Sequence, residues 1–145
     1  MVKAPTKVCV IDGQGGGIGS TIIRKIKEQF GETVEIVALG TNAIATAQML
    51  KARANRGASG ENAIVQTVPG VDVVVGTLAI MLAHAMMGEV TPKMAAAVCG
   101  CPAIKLILPI SQENVDVIGV SQDPLPHLVD TLVMDHLKPL VDDTD

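Results

Sequence analysis

Hydrophobic and polar positions along this chain switch repeatedly between two periods. Lys7-Val8-Cys9-Val10-Ile11 is a short apolar run ending in a glycine cluster, the pattern of a buried parallel strand. From there the apolar positions fall at Ile18, Ile22, Ile23, Ile26 and Phe30. That spacing is a helical stripe, with Arg24, Lys25, Lys27 and Glu28 on the other side. Gly31 stops this helix, and Val34 to Leu39 predicts a second strand. Thr41 or Asn42 is placed to cap a second helix through Ile44, Ala47, Leu50 and Ala54, ending near Arg56-Gly57. Ala58 to Asn62 reads as a polar loop, Ala63 to Val68 as a weaker strand, and Pro69-Gly70 as a turn before a strand at Val71 to Val75.

Leu78 to Met87 is apolar around its whole circumference, which predicts a helix central in the fold or buried between subunits. Thr91-Pro92 supplies an N-cap and a proline at the first helical position, opening a short helix to Val98. Ala103 to Leu108 and Val115 to Val120 predict two more strands. Pro124 to Leu140 predicts a last helix with Leu125, Leu128, Val129, Leu132 and Val133 facing inward. Strands alternating with helices imply a mainly parallel sheet covered on both faces. The expectation is one Rossmann-like α/β domain over residues 1–145, a three-layer sandwich of strand order 3-2-1-4-5 with an added edge strand allowed. No repeat, low-complexity segment or linker divides it.

Composition narrows the partners. The chain has 145 residues, a formal charge of −4, 48% hydrophobic and 18% charged residues, and Phe30 as its single aromatic. That balance argues against nucleic-acid or anionic-membrane binding, and an aromatic stacking platform is excluded outright. The scarcity of charge predicts that apolar surface is buried between copies, so a homo-oligomer through Leu78–Met87 is expected. That stretch is too short to span a bilayer. The N-terminus lacks a signal-peptide pattern, and three cysteines are an odd number for a disulfide scaffold, so a reducing cytoplasm is expected. Charge is also uneven: residues 1–56 hold 8 basic and 4 acidic groups, residues 57–145 hold 3 and 11. The basic excess lies with the glycine cluster, where it suits an anion, although Arg24, Lys25 and Lys27 read first as the solvated face of a helix.

The strongest chemical signal is Asp12-Gly13-Gln14-Gly15-Gly16-Gly17-Ile18-Gly19-Ser20-Thr21, between the first strand and the first helix. Glycines there admit a close backbone approach, and the helix that follows offers N–H groups and a positive dipole end to an anion. The same glycines would also serve to pack the helix closely on the sheet. Gly13-x-x-x-Gly17-Ile18-Gly19 resembles the pattern of short-chain dehydrogenases, which implies NAD or NADP. Gly13-Gln14-Gly15-Gly16 with Ser20-Thr21 resembles the deviant P-loop of partitioning and metal-insertion ATPases. There the phosphate-binding lysines would fall on Gln14 and Gly19, so ATP hydrolysis is not expected. The dehydrogenase resemblance implies a Tyr-x-x-x-Lys acid, and this chain has no Tyr. Where dinucleotide binders place an acid at the end of the second strand, this sequence has Gly40-Thr41-Asn42. Across nearly its whole length the chain also resembles a family of short Rossmann-like proteins of unknown function from anaerobic bacteria. The stretches that carry this are Val10 to Gly19, Ala38-Leu39-Gly40-Thr41-Asn42-Ala43 and Cys99-Gly100-Cys101-Pro102. This resemblance implies the fold and brings no activity with it.

Cys99 and Cys101 offer two thiols one residue apart, enough to meet a soft metal or an oxidant but short of a four-ligand structural site. Buried small residues at a helix end, with Gly100 as left-handed cap, are the simpler reading of them. Cys9 reads as core. His84 reads as a hydrogen-bonded interior or interface group, His136 as part of the inward stripe, and His127 as lying near the last helix's start.

The functional expectation is therefore a nucleotide or dinucleotide site at the carboxyl ends of the first, second and Val71–Val75 strands. Gly13, Gln14, Gly15, Gly16, Gly17, Ile18 and Gly19 would take phosphate, Thr41 and Asn42 the ribose or base, and Gly76 and Thr77 the distal part. NAD or NADP is the expected ligand class, for a sensor or accessory component without a complete catalytic set. A metal- or redox-responsive protein using Cys99 and Cys101, and an oligomeric scaffold without a small ligand, are the alternatives.

Overall fold

The computed structural model of the protein describes residues 4–111 and 113–143. Strand β1 (Thr6–Asp12) lies at the centre of a five-stranded sheet with β2 (Val34–Gly40), β3 (Arg56–Ser59), β4 (Val73–Thr77) and β5 (Ile104–Leu108). All pairings are parallel and the order is β3-β2-β1-β4-β5, the expected Rossmann-like arrangement. The alternation inside each strand builds two cores. Val8, Val10, Ile36, Val73 and Val75 pack with Ile22, Ile23 and Ile26 of helix α1 (Gly17–Phe30), and with Val129, Leu132 and Val133 near the C-terminus. Cys9, Ile11, Val37, Leu39 and Val74 face the other way, onto Ile64 of α3 (Glu61–Thr67) and Met94, Ala95 and Val98 of α4 (Pro92–Gly100). Near-continuous apolar runs in β1 and β4 follow from burial on both faces.

Local signals explain most boundaries. Gly31, at φ 56, ends α1. The side chain of Asn42 accepts from Ala45 N and opens α2 (Ala43–Lys51). Thr91 does the same for α4 through Met94 N, with Pro92 at the first position. Lys27, buried on α1, donates to Asn55 Oδ1 at 2.9 Å and lies 3.6 Å from Glu32. That bond holds α1 to the segment leading into β3. No helix of the described residues is long and apolar enough to cross a membrane.

Four expectations are corrected. The third strand is Arg56–Ser59, and Ala63 to Val68 belongs to α3 and the 3-10 turn Val68–Gly70. Buried Ile64 and Val68 are four apart, a helical interval that β-branched composition disguised. Arg-Gly-Ala-Ser carries no apolar signal because it forms an exposed edge strand. Leu78 to Met87 is not a helix: a 3-10 turn over Leu78–Met81 leads into successive turns, with positive φ at His84, Met86, Met87 and Gly88. Turn bonds from Leu82 N to the Ala79 carbonyl and from Ala85 N to the Leu82 carbonyl take the place of the helical ladder there, and Glu113 accepts from Met86 N at 2.8 Å. Val115 to Val120 forms no strand, so no sixth strand is present among the described residues. Finally, the C-terminal helix is interrupted. Between α5 (Leu125–Thr131) and α6 (Lys138–Asp142), residues Leu132–Leu137 widen into a π-helical turn. Pro139 removes a donor and crowds the carbonyl four residues back, and the wider turn relieves both. This rotates His136 off the inward stripe and leaves it exposed, while Val133 and Leu137 stay buried.

Candidate functional site

The sheet order reverses at β1, whose neighbours β2 and β4 lead to opposite faces, so a crevice opens at their carboxyl ends. The glycine loop fills its floor, and its glycines divide by role. Gly16 sits at φ 73, where a Cβ would come within 2.8 Å of the Ala45 carbonyl, so only glycine lets α2 approach. Gly13 and Gly19 are likewise hemmed in, by Thr41 and Met86 and by Met49 and Asp12. Gly15 and Gly17 are exposed, and a Cβ at either would meet no atom within 4 Å. Those two face open space. At the start of α1 the N–H groups of Gly17 and Ile18 have no partner within the chain among the described residues.

Carboxylates dominate the surroundings. Asp12, buried at the end of β1, accepts from Gly13 N at 2.8 Å and from Gly19 N at 2.7 Å. Burial raises its pKa above the ordinary aspartate range. The two N–H bonds pull it back in part, and the charge of Glu89 adds to the rise. Glu89 comes from the turn after β4. Its Oε1 accepts from Thr41 Oγ1 at 2.6 Å, Asn42 Nδ2 at 2.8 Å and Gln14 N at 2.9 Å. Burial works against its charge, but the bonds from Thr41, Gln14 and Asn42 outweigh burial and hold its pKa below the usual range. Sequence reasoning missed Glu89, which lies far from the loop in the chain and stands alone in no recognisable motif.

Between β1 and β4 lies a cavity of about 90 Å³ lined by Asp12, Gln14, Ile18, Thr77, Met86 and Glu113, among others. Thr77 thus lines the crevice. Gly76 does not open onto it: a Cβ there would meet Ile80 Cδ1 at 2.6 Å and the Ile11 carbonyl at 3.0 Å, so this glycine serves packing. Thr41 and Asn42 do lie at the end of β2, with their side chains engaged by Glu89.

The remaining candidates do not converge. Cys99 is exposed and Cys101 buried, its Sγ donating to Val98 O at 3.2 Å. Gly100 ends α4 within the helix, and Cys101 takes an extended conformation after it, so no left-handed glycine cap forms. Cys9 is core, and burial, with the nearby Cys101 thiol, pushes its pKa far up. His84 is exposed at φ 71 rather than interior, and His127 and His136 are exposed as well. Among the described residues no three potential ligands gather to hold a metal ion.

Residues 7–141 match the family described as domain of unknown function DUF3842, and the chain belongs to it. No curated protein matches the chain.

Proposed function

We propose that this member of the family binds a nucleotide or dinucleotide of the NAD(P) type across the carboxyl ends of β1, β2 and β4, as a sensor or accessory component. The observation that carries the reading is the pair of unpartnered N–H groups, Gly17 and Ile18, opening a fourteen-residue helix at the switch point of the sheet. Exposed Gly15 and Gly17 leave the approach clear of Cβ atoms. A dinucleotide fits this charge pattern better than ATP does. Its pyrophosphate can rest on the Gly17 and Ile18 N–H groups beside Asp12, whereas the further phosphate of ATP would bring one more negative charge toward the nearby carboxylates with no lysine in the loop. Without Tyr, hydride transfer of the short-chain dehydrogenase kind is not part of the proposal. A cytoplasmic setting suits three free thiols, and the resemblance to proteins of anaerobes extends the proposal to an anaerobic source. The paired-thiol alternative gains nothing from one exposed and one buried cysteine.

Calorimetric titration of NAD(H), NADP(H), ATP and AMP tests this. The wild type should bind a dinucleotide, and Gly17→Val should abolish binding with an unchanged circular dichroism spectrum, because the new side chain enters open space at the helix end. No binding of any of the four by the wild type overturns the reading.

A further inference from the structure

The end of β2 poses a chemical problem. In a dinucleotide site of this topology the adenosine ribose lies there, and its hydroxyl donors need an acceptor. Thr41 and Asn42 bring no charge, and β2 itself ends in glycine. The turn after β4 supplies what β2 lacks. Glu89 reaches across from the far side of β1, and its Oε1 is fixed by three donors, Thr41 Oγ1, Asn42 Nδ2 and Gln14 N. Its Oε2 has no partner among the described residues, and the residue remains half-exposed. A carboxylate clamped through one oxygen and open at the other is a pre-oriented acceptor.

We propose that Glu89 receives the ribose 2′-hydroxyl of the ligand, making this site selective for NAD over NADP. The inference rests on the dinucleotide reading above. Two features favour this role over that of a plug occupying the phosphate position. Glu89 leaves the Gly17 and Ile18 N–H groups untouched: of the loop's N–H groups it takes that of Gln14, and its other two donors are the neutral pair at the end of β2. Its anchor also has no counter-charge, since Glu89 forms no ion pair among the described residues. A 2′-phosphate would therefore meet a bare carboxylate where a hydroxyl finds an acceptor.

Titration of NAD and NADP into the wild type and Glu89→Gln separates the outcomes. The wild type should bind NAD about tenfold or more tightly than NADP, and Glu89→Gln should weaken NAD by a similar factor and narrow the ratio. The amide retains an oxygen for Thr41, so the turn keeps its main anchor; the wild-type ratio in any case needs no variant. Equal binding of NAD and NADP by the wild type overturns the role of Glu89 and leaves the dinucleotide site standing. Tighter NAD binding by Glu89→Gln identifies the carboxylate as a plug and also overturns it. Failure of the wild type to bind either dinucleotide removes the site and the inference together.

Discussion

Asp12 sets a condition on any anion that binds at the glycine loop. Its carboxylate already occupies the Gly13 and Gly19 N–H groups, beside the place where a pyrophosphate would settle. A second negative charge there favours the protonated acid, so binding takes up a proton. Because burial already holds the pKa of Asp12 above its ordinary value, this uptake is displaced above the ordinary aspartate range. Glu89, with its lowered pKa, stays ionised across that window and contributes nothing to it. NAD affinity should accordingly rise as pH falls toward the raised pKa of Asp12. Calorimetry in buffers of different ionisation heat should register the proton uptake, with none in Asp12→Asn. Affinity independent of pH over this window would contradict the argument. In the unliganded protein the sign is the same: the raised pKa makes the folded state relatively more stable below the ordinary aspartate value, and that advantage is lost as pH rises through the folded pKa. At this scale the glycine pattern was legible as a loop, but not the split between open Gly15 and Gly17 and packed Gly13, Gly16 and Gly19. That split depends on Ala45, Met49 and Met86, which arrive from elsewhere in the chain.

Among the elements, α2 joins α1 in organising the site through its start. Asn42 caps the helix through Ala45 N, donates to the Gln14 carbonyl at 3.1 Å, and holds Glu89. Asn42→Ala should cost about 1–2 kcal/mol, the cap alone accounting for about 1, read as a lower urea midpoint with unchanged slope. It should also speed proteolysis within residues 82–90, whose anchor it weakens. A loss below about 0.5 kcal/mol, outside the range for a lost cap, would mean that water replaces the cap. The cap was readable because it acts over three residues. Its bond to Glu89 was not, because the two lie 47 positions apart in the chain. The same contrast explains the turn after β4. Local pattern predicts a helix for Leu78 to Met87, but partners distant in sequence, Gln14, Thr41, Asn42 and Glu113, bind Glu89 and Met86 and hold the chain in turns. α3 failed differently: its Ile64 and Val68 interval was present in the sequence and was overridden by β-branched composition.

At the scale of the whole molecule, strand order follows from alternating strands and helices, and it was legible even though the third strand was misplaced. The surface was less so. Ile80, expected near an interface, is core at 1% exposure, and within Leu78–Met87 only Met87 offers a large, fully exposed apolar side chain. Other exposed apolar side chains lie on β5 and in the segment that follows it in the chain. β5 is an edge strand, Ile104 on it is half-exposed, and Val115, Val117 and Ile118 beyond it are exposed, Ile118 at 93%. A groove of about 310 Å³ runs between β5 and the C-terminal helix, lined by Leu106, Leu108, Leu128 and Leu132 among others. An unpaired edge strand invites pairing with a second copy, and exposed apolar side chains in the segment that follows it would be covered in such a contact. Covering two such side chains per subunit contributes about 3–6 kcal/mol, at about 1.5–3 each, before the cost of association. Light scattering at micromolar concentration should therefore give a mass above the 15.0 kDa of one chain. Ile118→Glu should return it toward that value, since a carboxylate enclosed in the contact would lose its water without gaining a partner. Met87→Glu should change it less. A mass lowered only by Met87→Glu would move the contact to the turn after β4, beside Glu89, and a monomeric wild type would reject self-association on either face.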